Sequence, residues 1–274
     1  MPARKSKASP DYAIEIQGLS RSFGAFKAVD NLDLKVEAGG VFAFLGPNGA
    51  GKTTTIKMLT TLLAPSQGSL KLCGFDVVKD PRAARRCFGI VFQDPSVDDE
   101  LSAEENMDLH GAMYGLPKAL RLRRTEELLA MVELWDRRAD PVKRFSGGMK
   151  RRLEIARALM HEPRVLFLDE PTVGLDPQTR QHLWDYVAKL CKKSGTTVFL
   201  TTHYLEEAEK VAGRIAVIDH GKLVAQGTAA ELRKSTRTKS LEDAFIKLTG
   251  HALREEEGNA TDRMRMVRRV WGRR

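Results

Sequence analysis

The stretch GPNGAGKTTT, Gly46 to Thr55, follows the apolar run Val41 to Leu45 and leads into a segment with helical spacing. It fits G-x-x-x-x-G-K-[ST], with Gly46, Gly51, Lys52 and Thr53 at the fixed positions. Glycines let the backbone curl so that successive N–H groups point inward at phosphate oxygens, and the following helix presents its positive N-terminal end to the same anion. Gly46, Pro47, Asn48, Gly49, Ala50, Gly51, Lys52, Thr53 and Thr54 are therefore candidate phosphate contacts. Lys52 would reach the β- and γ-phosphates, and Thr53 would place its hydroxyl on Mg²⁺. A strand, a glycine-rich loop and a helix in that order predict an α/β fold.

Two further stretches extend the same chemistry. In RVLFLDEP, Arg164 to Pro171, four apolar residues form a buried strand that ends in two carboxylates. Strand ends are where α/β sites lie. Asp169 would hold Mg²⁺ through its water shell, and Glu170 would polarise an attacking water as general base. In FSGGMKRRLEIARAL, Phe145 to Leu159, a small-residue turn opens a helix. Its Leu153, Ile155, Ala156 and Leu159 face inward and its basic residues face outward. The turn Ser146-Gly147-Gly148 is a second anion-binding helix terminus. Two such termini with one phosphate loop and no internal repeat suggest a site shared between two copies of the chain.

Together these stretches resemble the ATP-binding subunit of an ABC transporter, from about Ala13 to about Gly250. GPNGAGKT resembles the Walker A loop, VLFLDE the Walker B strand, FSGGM the family signature, and Gly174-Leu175-Asp176 the D-loop. The resemblance implies that Gln93 is the Q-loop glutamine that senses Mg²⁺ and the γ-phosphate. It likewise implies that His203 is the switch histidine on the γ-phosphate, and that Phe23 lies against adenine. On the same basis Glu170, His203 and Lys52 are the catalytic residues, and Thr53, Gln93 and Asp169 the metal site. The signature reads FSGGM where LSGGQ is commonest, so Phe145 and Met149 replace leucine and glutamine while the three residues that meet phosphate are kept. Phe23 stands where tyrosine is commonest, which keeps the ring face and loses a hydroxyl.

The implied fold is a P-loop NTPase core with a mostly parallel sheet, an N-terminal antiparallel β subdomain and an inserted α-helical subdomain over about 97–158. By resemblance two subunits pack head to tail around two ATP molecules, most simply as a homodimer. Each ATP would touch Lys52, Thr53, Gln93, Asp169, Glu170 and His203 of one chain, and Ser146 and Gly148 of the other. Gly147 and Asp176 belong to the same nucleotide-contacting set. Closure would drive a separate multi-span permease through the surface between Gln93 and the helical insert. GGMKRRLEIARALMHEP, GLDPQTR and SLEDAFIKLTG resemble the ATPases of ABC-2-type exporters of the daunorubicin-resistance kind, implying a drug-like, lipid or polysaccharide cargo. An importer ATPase, and an ABC-type ATPase that acts on nucleic acid or ribosomes, are the alternatives.

Composition weighs on those alternatives. Of a formal net charge of +9 over 274 residues, residues 1–10 carry +3 and residues 259–274 carry +5, which leaves a nearly neutral body. That distribution predicts no nucleic-acid partner for the body. Cys73, Cys87 and Cys191 are far apart and show no CxxC, so neither a disulfide framework nor a zinc site is expected. The longest apolar runs are about five residues against the ~20 of a membrane span. We expect a cytoplasmic protein, peripheral on the inner membrane face through its permease, with residues 1–10 a loose basic leader. In the segment 251–274, Met264, Met266, Val267, Val270 and Trp271 fall on one side of a helix and Arg265, Arg268 and Arg269 on the other. Two readings stand for it: contact with an anionic membrane surface or the permease, or a frayed solvated end.

Along the body, short alternating strands are predicted over 11–45, and strands again at Leu70 to Cys73 and Gly89 to Phe92. Helical spacing marks Glu100 to Leu116, Arg124 to Asp136 and Gln178 to Lys193. Thr196 to Leu200, Arg214 to Asp219 and Lys222 to Gln226 read as strands.

Overall fold

Alternating side chains in three short apolar runs decide the architecture. In VFAFL, VLFLD and TVFLT every second residue is aromatic or β-branched, and both faces of each strand are buried. A computed structural model describes residues 12–250. The basic leader and the amphipathic segment 251–274 lie outside the described residues.

The chain opens with β1 (Tyr12–Phe23) and β2 (Phe26–Glu37), followed by β3 (Gly40–Leu45), α1 (Lys52–Leu59), β4 (Gln67–Leu72), β5 (Phe75–Asp76), α2 (Pro81–Cys87) and β6 (Phe88–Val91). Between β6 and β7 (Val165–Asp169) lie α3 (Ala103–Met113), α4 (Lys118–Met131) and α5 (Gly147–Ala158). Then come α6 (Pro177–Ser194), β8 (Thr197–Thr201), α7 (Leu205–Val211), β9 (Arg214–Asp219), β10 (Lys222–Gly227), α8 (Ala229–Thr236) and α9 (Leu241–Thr249).

One sheet has the order β2-β1-β4-β5 and is wholly antiparallel, and the other has the order β10-β9-β3-β8-β7-β6. In the second sheet β9, β3, β8, β7 and β6 run parallel and only β10 is antiparallel. Two expectations need correction. β1 and β2 are long, 12 residues each, because Gly24 at φ +60° closes a two-residue turn that pairs Phe23 with Phe26 directly. The helix expected from Arg124 starts at Lys118 and stops at Met131, where Glu133 takes φ +57°.

The parallel sheet divides the core in two. Phe42, Phe44, Phe88, Phe167 and Phe199 sit on one face with the antiparallel sheet and α1, their ring centroids 5.4 to 5.6 Å apart. Ala43, Leu45, Leu166, Leu168, Val198 and Leu200 alternate with them and face Met107, Leu129, Leu153 and Leu183 of the helices. Each ring buried this way contributes about 2 kcal/mol. This double burial fixes the register of the sheet, since a one-residue slip would exchange the two faces. The carboxyl ends of β3, β6, β7 and β8 are thereby held side by side.

Candidate nucleotide site

In the loop after β3 two positions have no room for a side chain. A Cβ on Gly46 would lie 2.3 Å from the Ile218 carbonyl, and one on Gly51, at φ +103°, 2.4 Å from the Ala28 carbonyl. The loop can take this path only with glycine at both positions. It ends on α1, whose first residue Lys52 is buried and donates from Nζ to the carbonyls of Gly46 at 2.5 Å and Pro47 at 3.2 Å.

The ends of β7 and β8 supply the acidic wall. Asp169 is buried, and its Oδ1 accepts from the Thr201 hydroxyl at 2.6 Å. Glu170 follows at φ +49°, a left-handed conformation uncommon outside glycine, and its amide donates to the Thr201 carbonyl at 3.1 Å. Its Oε2 accepts from Nδ1–H of His203 at 2.8 Å and from the His203 amide at 3.2 Å. Gln93, two residues beyond β6, joins Pro47, Asn48, Gly49, Ala50, Gly51, Lys52, Thr53, Thr54, Asp169 and Glu170 in lining one cavity of about 260 Å³.

Burial shifts the charged groups of this cavity at both signs. Burial pulls the Lys52 pKa below that of an ordinary lysine, while Glu170 and Asp169 oppose the change. Burial pushes the Asp169 carboxyl up, with the Thr201 hydroxyl opposing and Glu170 adding to the rise. A buried cation and a buried anion, each penalised by its burial, suit a ligand that brings phosphate to one and a cation to the other. Among the described residues no cluster of three or more His, Cys, Asp or Glu could hold a metal ion. A lone buried carboxylate beside a hydroxyl and an amide fits Mg²⁺, which keeps water and phosphate oxygens as its other ligands.

Other sequence-predicted residues lie apart from the cavity. Ser146 caps α5, its Oγ accepting from the Met149 amide at 3.3 Å, and Gly147 and Gly148 form the first turn. A Cβ on Gly148 would lie 2.7 Å from Thr179 Cγ2, so α5 meets the start of α6 there. Asp176 caps α6 through the Thr179 amide at 3.0 Å and hydroxyl at 2.6 Å. None of these four lines the phosphate-loop cavity of its own chain. Phe23 is 48% exposed, with the Arg21 guanidinium 4.8 Å from its ring centroid, and the ring that lines the cavity is that of Phe26.

Sequence reasoning passed over Thr201 and Arg151. Thr201 ends an apolar strand beside Asp169, and a polar residue closing such a strand is the available signal. Arg151 corrects the expectation that the basic residues of α5 face outward. It is 6% exposed and paired with Glu154 Oε2 at 3.2 Å, because its guanidinium finds backbone carbonyls to donate to.

The family model described as ABC transporter matches residues 29–173. The daunorubicin/doxorubicin resistance ATP-binding protein DrrA of Streptomyces peucetius is 48% identical over 226 residues, 82% of this chain and 68% of that protein. The Nod factor export ATP-binding protein I of Ralstonia nicotianae is 42% identical over 219 residues, 80% of this chain and 68% of that protein. A solved ATP-binding subunit of an ABC transporter superposes with a TM-score of 0.78 at 31% identity, covering 86% of this chain and 99% of the other. A dimeric post-hydrolysis state of an ATP-binding cassette, bound to ADP and Pi, superposes with a TM-score of 0.70 at 27% identity, covering 78% and 98%. The chain belongs to the ATP-binding family of ABC transporters.

Proposed function

We propose that this chain hydrolyses ATP to power a separate membrane-spanning permease that exports its cargo. The observation that carries the reading is the meeting of Glu170, Asp169, Gln93 and Lys52 around the phosphate loop in one cavity. Backbone amides of the loop bind the phosphates, and Lys52 leaves the Gly46 and Pro47 carbonyls for the β- and γ-phosphates. Thr53, Gln93 and Asp169 would hold Mg²⁺, which would supply neutralisation of charge on the phosphate oxygens. Glu170 takes the proton of the attacking water, and His203 orients the Glu170 carboxylate. These groups fix positions and charges before reaction, which is where most of the acceleration in phosphoryl transfer arises.

The site is completed by a second copy of the chain. Ser146, Gly147 and Gly148 form an anion-binding helix end away from their own phosphate loop, so they serve the nucleotide of a partner subunit. Asp176, which caps the helix packed on Gly148, lies at the same junction. Export is supported by relatives named for drug resistance and for Nod factor export. Among the described residues no helix is long and apolar enough to cross a membrane.

Mild-detergent capture of the chain from its native membranes, with mass spectrometry of what co-purifies, tests the reading. A multi-span protein in stoichiometric amount is the expected result. Recovery with ribosomes or nucleic acid instead would move the hydrolysis to another task.

A further inference from the structure

The charged side of α5 is not used by the chemistry above. Arg151, Glu154 and Arg157 recur at three-residue spacing and so share one side of the helix. Glu154 is 1% exposed. Its Oε1 accepts from the Ser96 amide at 2.6 Å and the Ser96 hydroxyl at 3.1 Å, and its Oε2 from Arg151. Arg151 donates to the carbonyls of Phe92 at 2.5 Å, Gln93 at 3.2 Å and Glu170 at 3.4 Å. Arg157 donates to the Ser96 carbonyl at 2.7 Å and hydroxyl at 2.5 Å.

One helix therefore grips both ends of the segment 92–96, which has no helix or strand of its own. Gln93 is exposed, so the grip on its carbonyl positions it more than any packing of its side chain. A buried ion pair is weak evidence for stability, because apolar residues of similar size often serve a core as well. Forked guanidinium donors on two successive carbonyls do fix a backbone path.

We infer that Arg151, Glu154 and Arg157 are positioning residues that lock the Gln93 segment to the signature helix, so that movement at Ser146 reaches Gln93 and the Glu170 backbone together. The inference rests on the function proposed above and deepens it. Contact of Ser146 with a partner's nucleotide then displaces α5 as a rod, and the Q-loop travels with it.

Hydrogen exchange on the full chain, with and without MgATP, reads this from peptides covering 92–98 and 146–152. In the wild type both peptides are expected to gain protection with ATP. Ser96→Ala removes only contacts of an exposed hydroxyl, and Glu154→Gln removes the charge that ties Arg151 to Ser96. Both variants are expected to keep the response at 146–152 and to lose about fivefold of it at 92–98. ATP affinity should stay within about threefold of wild type in both. Arg152→Ala, on the same helix but bonded to the Val132 carbonyl, is expected to leave the two responses linked, which separates the clamp from general loosening. If Ser96→Ala and Glu154→Gln respond like the wild type at both peptides, the inference is overturned. If the wild type shows no ATP response at either, the ATP-binding reading fails and the inference falls with it.

Discussion

Nδ1 of His203 lies 2.8 Å from Oε2 of Glu170, and the amide of His203 donates to the same oxygen at 3.2 Å. Two donors from one residue hold one carboxylate oxygen and leave the other free for water. Glu170→Gln keeps an acceptor there but loses the base. Phosphate release is expected to fall by roughly 10²- to 10³-fold while ATP binding changes little. Equilibrium nucleotide binding and light scattering check the second half, since the variant should accumulate as an ATP-bound dimer.

The phosphate loop offers a contrast among its glycines. Gly51→Ala would push a Cβ to 2.4 Å from a backbone carbonyl at φ +103°, whereas a Cβ on Gly49, at φ +81°, meets nothing within 4 Å. Gly51→Ala is expected to cost about 3 kcal/mol of stability and to abolish nucleotide binding. Gly49→Ala should cost only the backbone strain, about 1 kcal/mol. Urea unfolding of the two variants measures the difference.

Asp169 links stability to pH. Its folded-state pKa is raised, chiefly by burial, above that of the unfolded chain. Stability from this group is therefore fully present below the unfolded value and is lost as pH rises through the folded one. Above the folded pKa the ionised carboxylate is a cost in the nucleotide-free protein. Asp169→Asn is expected to raise the nucleotide-free Tm by about 2–4 °C, the equivalent of about 1 kcal/mol, and to remove Mg²⁺-dependent hydrolysis. Calorimetry at pH 7 and at pH 4.5 should show the gain shrinking at the lower pH.

A second pH effect has the opposite sign. Burial, then Arg157 and His161, hold the His110 pKa down at about 4, from the usual 6.5. The unfolded chain takes up a proton that the folded chain refuses, so stability falls as pH drops from about 6.5 toward about 4. Tyr114 and His161 face this ring at centroid distances of 5.1 and 6.1 Å, and the charges that act on it, from Arg157 and His161, both disfavour protonation. His110→Gln is expected to flatten that fall by about 2 kcal/mol, as measured by urea unfolding across the range.

How much of this is legible in the sequence depends on what a pattern can encode. VFAFL, VLFLD and TVFLT carry the sheet because both faces of each strand must be apolar, and the polar residues that close the last two, Asp169 and Thr201, mark the end where their side chains meet. Arg151 is hidden because helical spacing sorts charges outward, and only its i,i+3 pairing with Glu154 hints that both are inside. Phe23 and Phe26 are equivalent in RSFGAF as composition. Which ring lines the cavity depends on the two-residue turn between them, a matter of backbone path. One phosphate loop with two anion-binding helix ends points in the sequence to a shared site, but the geometry by which two copies would meet is not written in a single chain's periodicity.

The central claim is that two chains together hydrolyse ATP at this site. Steady-state phosphate release from saturating MgATP, measured against chain concentration, tests it most directly. The account predicts a specific activity that rises with concentration as dimers form, and that Glu170→Gln removes. Phosphate release no greater than that of the Glu170→Gln variant at every concentration would contradict it.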